Sequence, residues 1–268
     1  MTKTQKPGIA PIEPKLVRKV EEAVKSVAGL DPAKAMQVFL ALAGEIDDEA
    51  GDQLVDNNPE LIAKYGPLAT SIYQQYVFDF ERSAKKKLMD QANRSASSFK
   101  AATSFFGAAA YDRAEEMFRH LDFQNANRFV VVGCGQLPFT AFHAHDHTKQ
   151  TEIIALDVLE DTIAGVGQLA QRFDMKRLRA EVLAGQFFDF DSADIVYVAN
   201  MVSPKSEVLK RIASTAPSTV QVVLRDPYSI GRLWSERGRD VLHPDFMEIG
   251  HGAGANYKSQ DVYLQRSP

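Results

Sequence analysis

The chain has 268 residues, 45% of them hydrophobic, with 35 acidic against 31 basic side chains and a formal net charge of −4. This length allows one large domain or two modest ones with a conventional core, and the interspersed basic residues argue against a nucleic-acid or anionic-membrane partner. A single cysteine, Cys134, rules out an internal disulfide or a thiolate zinc site within the chain, and the polar start and lack of an apolar run of about 18 residues set the expectation of a cytoplasmic protein.

The first part reads as helices. Leu16, Val20, Ala23, Val24 and Val27 form one stripe between Lys15 and Gly29, where the glycine stops the helix. Asp31 caps a second helix with Pro32 in its first turn and Phe39, Leu40, Leu42 and Ile46 on its apolar face, and the Asp47-Asp48-Glu49 run is read as its end. Asn58-Pro59 repeats the start signal. From Pro67 to about Asp90, Ile72, Tyr73, Tyr76, Val77 and Phe80 mark a long amphipathic helix that turns basic at its end. A serine-rich stretch follows, then a helix predicted from Ser104 to His120 and a boundary at Gln124 to Asn127.

Beyond the boundary the period changes. Phe129 to Val132, Ile153 to Asp157, Ala180 to Leu183, Ile195 to Ala199 and Val220 to Arg225 are apolar runs of strand length separated by helical segments, which predicts a mostly parallel sheet with helices on both faces. Phe246 to Ile249 and Val262 to Leu264, joined by a glycine-rich loop, predict a terminal antiparallel hairpin. The expected organisation is a helical cap over residues 1–123 and an α/β unit over residues 124–268.

In such a sheet a ligand binds at the carboxyl ends of the strands, and the first strand-to-helix turn does most of the holding. Gly133 and Gly135 fall there, and Pro138 stands where a dinucleotide loop has its third glycine, which argues against a nicotinamide cofactor. Asp157 ends the second strand at about the 20-residue offset at which an acidic side chain meets ribose hydroxyls. The plainer alternative is a tight turn at the glycines and a helix cap at Asp157.

Gly133-Cys134-Gly135-Gln136-Leu137-Pro138-Phe139-Thr140 resembles the G-x-G-P-L-P-hydrophobic-S/T loop of the nicotianamine synthase family, which includes opine metallophore synthases, and of the azetidine-2-carboxylate synthases that use the same donor. Val198-Ala199-Asn200-Met201 with Pro204-Lys205, and Val222-Val223-Leu224-Arg225, resemble that family's fourth strand, following helix and fifth-strand arginine. The resemblance implies a helical cap over a class I methyltransferase-like, Rossmann-like domain that binds S-adenosylmethionine as substrate, with no metal. It also implies attack on the aminobutyrate carbon beside the sulfonium, so that methylthioadenosine leaves and no methyl group moves. Glu81 matches the position of the glutamate that deprotonates the acceptor amine. The family's asparagine-tyrosine motif is absent: Phe105-Phe106-Gly107-Ala108-Ala109-Ala110-Tyr111 stands in its region. This departure suits closure of the donor's own α-amine onto its γ-carbon, giving a four-membered ring, with Phe105, Phe106, Tyr111, Phe139 and Tyr228 as aromatic candidates around the cation.

Each remaining candidate has two readings. Glu81 on an otherwise apolar stripe is a base raised by burial, or the partner of Lys85. Arg225 forks onto the donor's carboxylate or pairs with Asp226. Gln186 and Phe187 bracket adenine or pack a loop, and Asn200 is placed with Arg225 at the amino-acid end. Cys134, Leu137 and Pro138 belong to the nucleoside loop, Cys134 as a small residue rather than a nucleophile. His143, His145 and His147 read as a solvated helix end rather than a metal site. The expected reaction is azetidine-2-carboxylate formation from S-adenosylmethionine. The alternatives are 3-amino-3-carboxypropyl transfer to an amino acid, methyl transfer, and a non-catalytic S-adenosylmethionine sensor whose cap binds a protein. The expected partner is a small molecule, and a homodimer stays open.

Overall fold

The computed structural model of the chain describes residues 14–91, 109–255 and 257–267, without the side chains of residues 91 and 109–112. Four helices come first: α1 (Pro14–Ser26), α2 (Pro32–Glu45), α3 (Asp48–Asn57) and α4 (Pro59–Gln91). Asp31 caps α2 by accepting the Lys34 N–H. The acidic run expected to end α2 instead starts a separate helix, because Asp47 accepts the N–H groups of Glu49 and Ala50 and places Asp48 and Glu49 at the positive end of α3. Pro67, expected near a helix start, lies inside α4. A proline there removes one backbone bond, and the packing of Leu61, Tyr65, Ala69 and Tyr73 holds the helix through it.

Those side chains share a core with Val20, Phe39 and Leu54 and also with Ile230, Leu233 and Trp234, which follow the fifth strand. The Trp234 indole stacks on Phe39 with centroids 5.8 Å apart. At Gly51 a side chain would meet the Ser229 hydroxyl, so the short turn Ser229–Leu233 presses directly onto α3. The helical layer is thereby fastened to the end of the sheet.

After α5 (Ala109–His120) the chain alternates β1 (Arg128–Val132), α6 (Phe139–His147), β2 (Glu152–Asp157), α7 (Glu160–Arg172), β3 (Leu178–Val182), β4 (Ile195–Val198), α8 (Lys205–Thr215), β5 (Gln221–Pro227), β6 (Phe246–His251) and β7 (Ser259–Arg266). The sheet order is β3-β2-β1-β4-β5-β7-β6, parallel through β5 and antiparallel at β7 and β6. Beyond Arg128 at its start, β1 is apolar and buried because helices cover both faces: Phe129 and Val131 face Met117, Phe142 and Val166, while Val130 and Val132 face Val208 and Ile212. This is the class I methyltransferase-like arrangement, with helices preceding it and a C-terminal hairpin. No helix among the described residues is long and apolar enough to cross a membrane.

Candidate functional site

Strand order reverses between β1 and β4, and the chain leaving β1 there makes a tight turn. Gly133 and Cys134 both donate their N–H to the Leu156 carbonyl at 2.9 Å. Gly133 and Gly135 have φ of +74° and +67°, which a side chain would strain. A Cβ on Gly133 would come within 2.5 Å of Val202, and one on Gly135 within 2.6 Å of a Glu81 carboxylate oxygen. The turn is therefore wedged between the loop after β4 and helix α4.

Two carboxylates bracket Gly135. Asp157, at the end of β2, accepts the Gly135 N–H at 3.0 Å with one oxygen and the Leu159 N–H at 3.1 Å with the other. Glu81 reaches down from α4 and accepts the Gln136 N–H at 2.8 Å. Burial lifts Glu81 to about 7, and the negative charge of Asp157 adds to the rise, while the N–H groups of Gln136 and Leu137 oppose it. Lys85 does not pair with Glu81: its side chain crosses α7 at Gly165, where an added Cβ would stand 2.4 Å from Nζ.

These groups open onto a cavity of about 600 Å³ between α4 and the strand ends, within the size range of small-molecule sites. Ser71, Gln74, Phe78 and Glu81 supply the roof, Gly133, Gly135 and Asp157 the floor, and Val158, Gln186 and Met201 the sides. A second cavity of about 670 Å³ adjoins it, sharing Ser71, Gln74, Met201, Val202 and Ser203.

The expected site residues divide between cavity walls and other places. Glu81, Gly133, Gly135, Asp157 and Gln186 line the first cavity. Asn200 lines the second, donating its amide to Ser235 Oγ at 2.9 Å and to Tyr73 Oη at 3.4 Å. Cys134 and Leu137 point into the core under the turn, where burial pushes the Cys134 thiol up, and Pro138 is the residue from which α6 starts. Phe187 is 71% exposed beside Gln186. Arg225 lines neither cavity. It is buried against Asp261 of β7 at 3.1 Å, not against Asp226, because the β5–β7 register sets residues 225 and 261 opposite each other. Asp226 takes the buried Lys205 at 3.5 Å instead. Tyr228 lines neither cavity, its hydroxyl lying against Gly254. Phe139 packs on the core beneath the sheet. Phe105 and Phe106 lie outside the described residues, as does the side chain of Tyr111 on α5. The histidines expected at a solvated helix end divide: His143 is buried in the middle of α6, its ring stacked on that of the exposed His147 with centroids 3.9 Å apart.

Sequence reasoning missed Ser71 and Gln74, polar residues one turn apart on the helix where it singled out the apolar stripe and Glu81. It also missed the second cavity, whose walls come from segments far apart in the chain.

No protein-family profile matches the chain, and no curated protein matches it. Among solved structures it resembles the nicotianamine synthase MtNAS. A glutamate-to-glutamine variant of MtNAS in complex with S-adenosylmethionine matches with a TM-score of 0.72 and 15% identity, over 94% of this chain and 98% of that one. MtNAS in complex with MTA and tNA matches with a TM-score of 0.73 and 15% identity, over 97% and 100%. The chain has the fold of MtNAS. At this identity the likeness is one of fold, and it spans the helical layer as well as the sheet.

Proposed function

We propose that the chain is an enzyme that binds S-adenosylmethionine in the first cavity and breaks the bond between its sulfur and the aminobutyrate γ-carbon. The leading reading is intramolecular. The α-amine loses a proton to Glu81 and attacks the γ-carbon; the N–C bond forms as the C–S bond breaks, the sulfur keeps the electron pair, and azetidine-2-carboxylate and methylthioadenosine result. One observation carries this reading: a carboxylate raised to about 7 stands directly over the glycine turn, where a neutral-pH base for an amine is useful. The fit to the nucleoside rests on Gly133 and Gly135, which keep the turn free of side chains, and on Asp157 and Gln186 in the cavity wall.

In this reading residues 1–123 form the cap and residues 124–268 the donor-binding unit. Asn200 steers the amino-acid end from behind the shared wall, and Arg225 braces the sheet beneath it. The second cavity favours one alternative, aminobutyrate transfer to an external amino acid, because it provides room for an acceptor beside the first.

Incubation of the pure protein with S-adenosylmethionine alone, with products identified by mass, tests the proposal. Methylthioadenosine with the cyclic amino acid is the expected outcome. Methylthioadenosine formed only after an amino acid is added selects the transfer reaction. S-adenosylhomocysteine as product, or binding without product, overturns both in favour of methyl transfer or a sensor.

A further inference from the structure

Helix α4 turns one stripe to the first cavity: Ser71, Gln74, Gln75 and Phe78 stand at helical spacing, with Glu81 one turn further on. Among the described residues Phe78 is the only aromatic one lining this cavity, and Phe187, expected to hold adenine, is not among its walls. Phe78 is half-buried. The exposed Arg82, one turn along α4, sets its guanidinium carbon 4.4 Å from the Phe78 ring centroid. That cation covers one face of the ring, so the rest of the ring is what meets the cavity.

The pairing selects among the parts of a ligand. A ring that already carries a guanidinium on one face has less attraction left for a second cation, which makes it a poor seat for the donor's sulfonium. A neutral, flat, polarisable base stacks there without that penalty. Position agrees with chemistry. In the nucleoside reading, on which this inference rests, Asp157 meets the ribose, and the base attached to that sugar falls between the α4 roof and the side wall of Val158, Leu159 and Gln186. We infer that Phe78 is the platform on which the donor's adenine stacks, with the aliphatic Val158 and Leu159 opposite, so that the helical roof as well as the sheet edge holds the base. Phe78 and Glu81 share one face of α4, so stacking the base also registers the donor beneath the carboxylate.

Calorimetric titration of S-adenosylhomocysteine into the full chain and two variants tests this. Phe78→Leu keeps an apolar side chain without a ring and is expected to weaken binding by about tenfold or more, the ordinary span of base–aromatic stacking. Phe78→Trp keeps a ring and is expected to bind within a few-fold of the parent. The indole it adds is quenched as the site fills, a change that the parent's Trp234, 1% exposed against the helical core, does not show. Binding that Phe78→Leu leaves unchanged, Phe78→Trp weakened as far as Phe78→Leu, or an added indole whose emission ignores the ligand overturns the inference and leaves the nucleoside reading standing. A parent chain that does not bind S-adenosylhomocysteine sinks that reading, and the platform with it.

Discussion

The Glu81 carboxylate accepts the backbone N–H of Gln136 at 2.8 Å, so a side chain from the long helix α4 closes the turn that leaves the first strand. The contact couples two parts of the chain that the hydrophobic pattern treats as separate. It also puts a titratable oxygen within 2.6 Å of where a Gly135 side chain would stand.

If Glu81 takes the amine proton, Glu81→Gln lowers methylthioadenosine release by about a hundredfold or more, the usual span of general-base catalysis. Affinity for S-adenosylhomocysteine stays within a few-fold of the parent, since the amide retains an oxygen for Gln136. Single-turnover release and calorimetry together check this, and full turnover in the variant removes Glu81 from the mechanism.

Glu81 also sets a pH dependence. Its folded value is raised to about 7 from an ordinary 4.5, so between those limits the folded chain holds a proton that the unfolded chain has released. Its contribution to stability therefore falls as pH rises through this window and is least favourable above pH 7, by up to about 3 kcal/mol. Activity moves the other way, rising to a plateau above about pH 7 as the base ionises. Urea denaturation and rate measurements across pH 4.5 to 8 check both, and Glu81→Gln flattens the stability slope.

Gly135→Ala forces a side chain into a positive-φ position and against the Glu81 carboxylate. The backbone strain alone is worth about 1–3 kcal/mol. A lower urea midpoint and weaker S-adenosylhomocysteine binding are expected, and a variant that matches the parent in both refutes the crowded turn.

Asp157→Ala removes the acceptor for both Gly135 and Leu159. Nucleoside affinity is expected to fall by about tenfold or more, as for loss of a charged hydrogen-bonding group. Asp157→Asn, which keeps one oxygen, recovers part of it.

Lys205→Met strands Asp226 in the core, since Lys205 and Asp226 are 0% and 1% exposed as a pair. Breaking a buried pair by removing one partner costs about 3 kcal/mol or more, and the melting temperature reports it. Asp226 also accepts the N–H groups of Gly238 and Arg239, and no change in melting temperature would show that these are sufficient partners.

The α/β half was legible because its strands are short apolar runs between amphipathic helices. The run read at residues 153–157 is strand Glu152–Asp157, and the one at 195–199 contains Ile195–Val198. The α2–α3 break was misread because an acidic cluster looks the same whether it ends one helix or caps the next. Asp47 does the second, through its side-chain oxygen. Of the site, the glycines, Asp157 and Glu81 were visible as residue types at strand ends and on a helix stripe. The Arg225–Asp261 pair was not, because it depends on a register between strands 36 residues apart. Nor was the fastening of Trp234 into the helical core, a tertiary contact with no local signal.

Ser71 and Gln74 face both cavities from a single turn of α4, so neither chamber can be remodelled there without disturbing the other. Changes of ligand preference that spare the neighbour are confined to private positions, such as Gln186 on one side and Thr70 on the other. Any engineering of this scaffold has that partition built into it: selectivity is adjustable at the outer walls, while the common turn acts as a fixed hub.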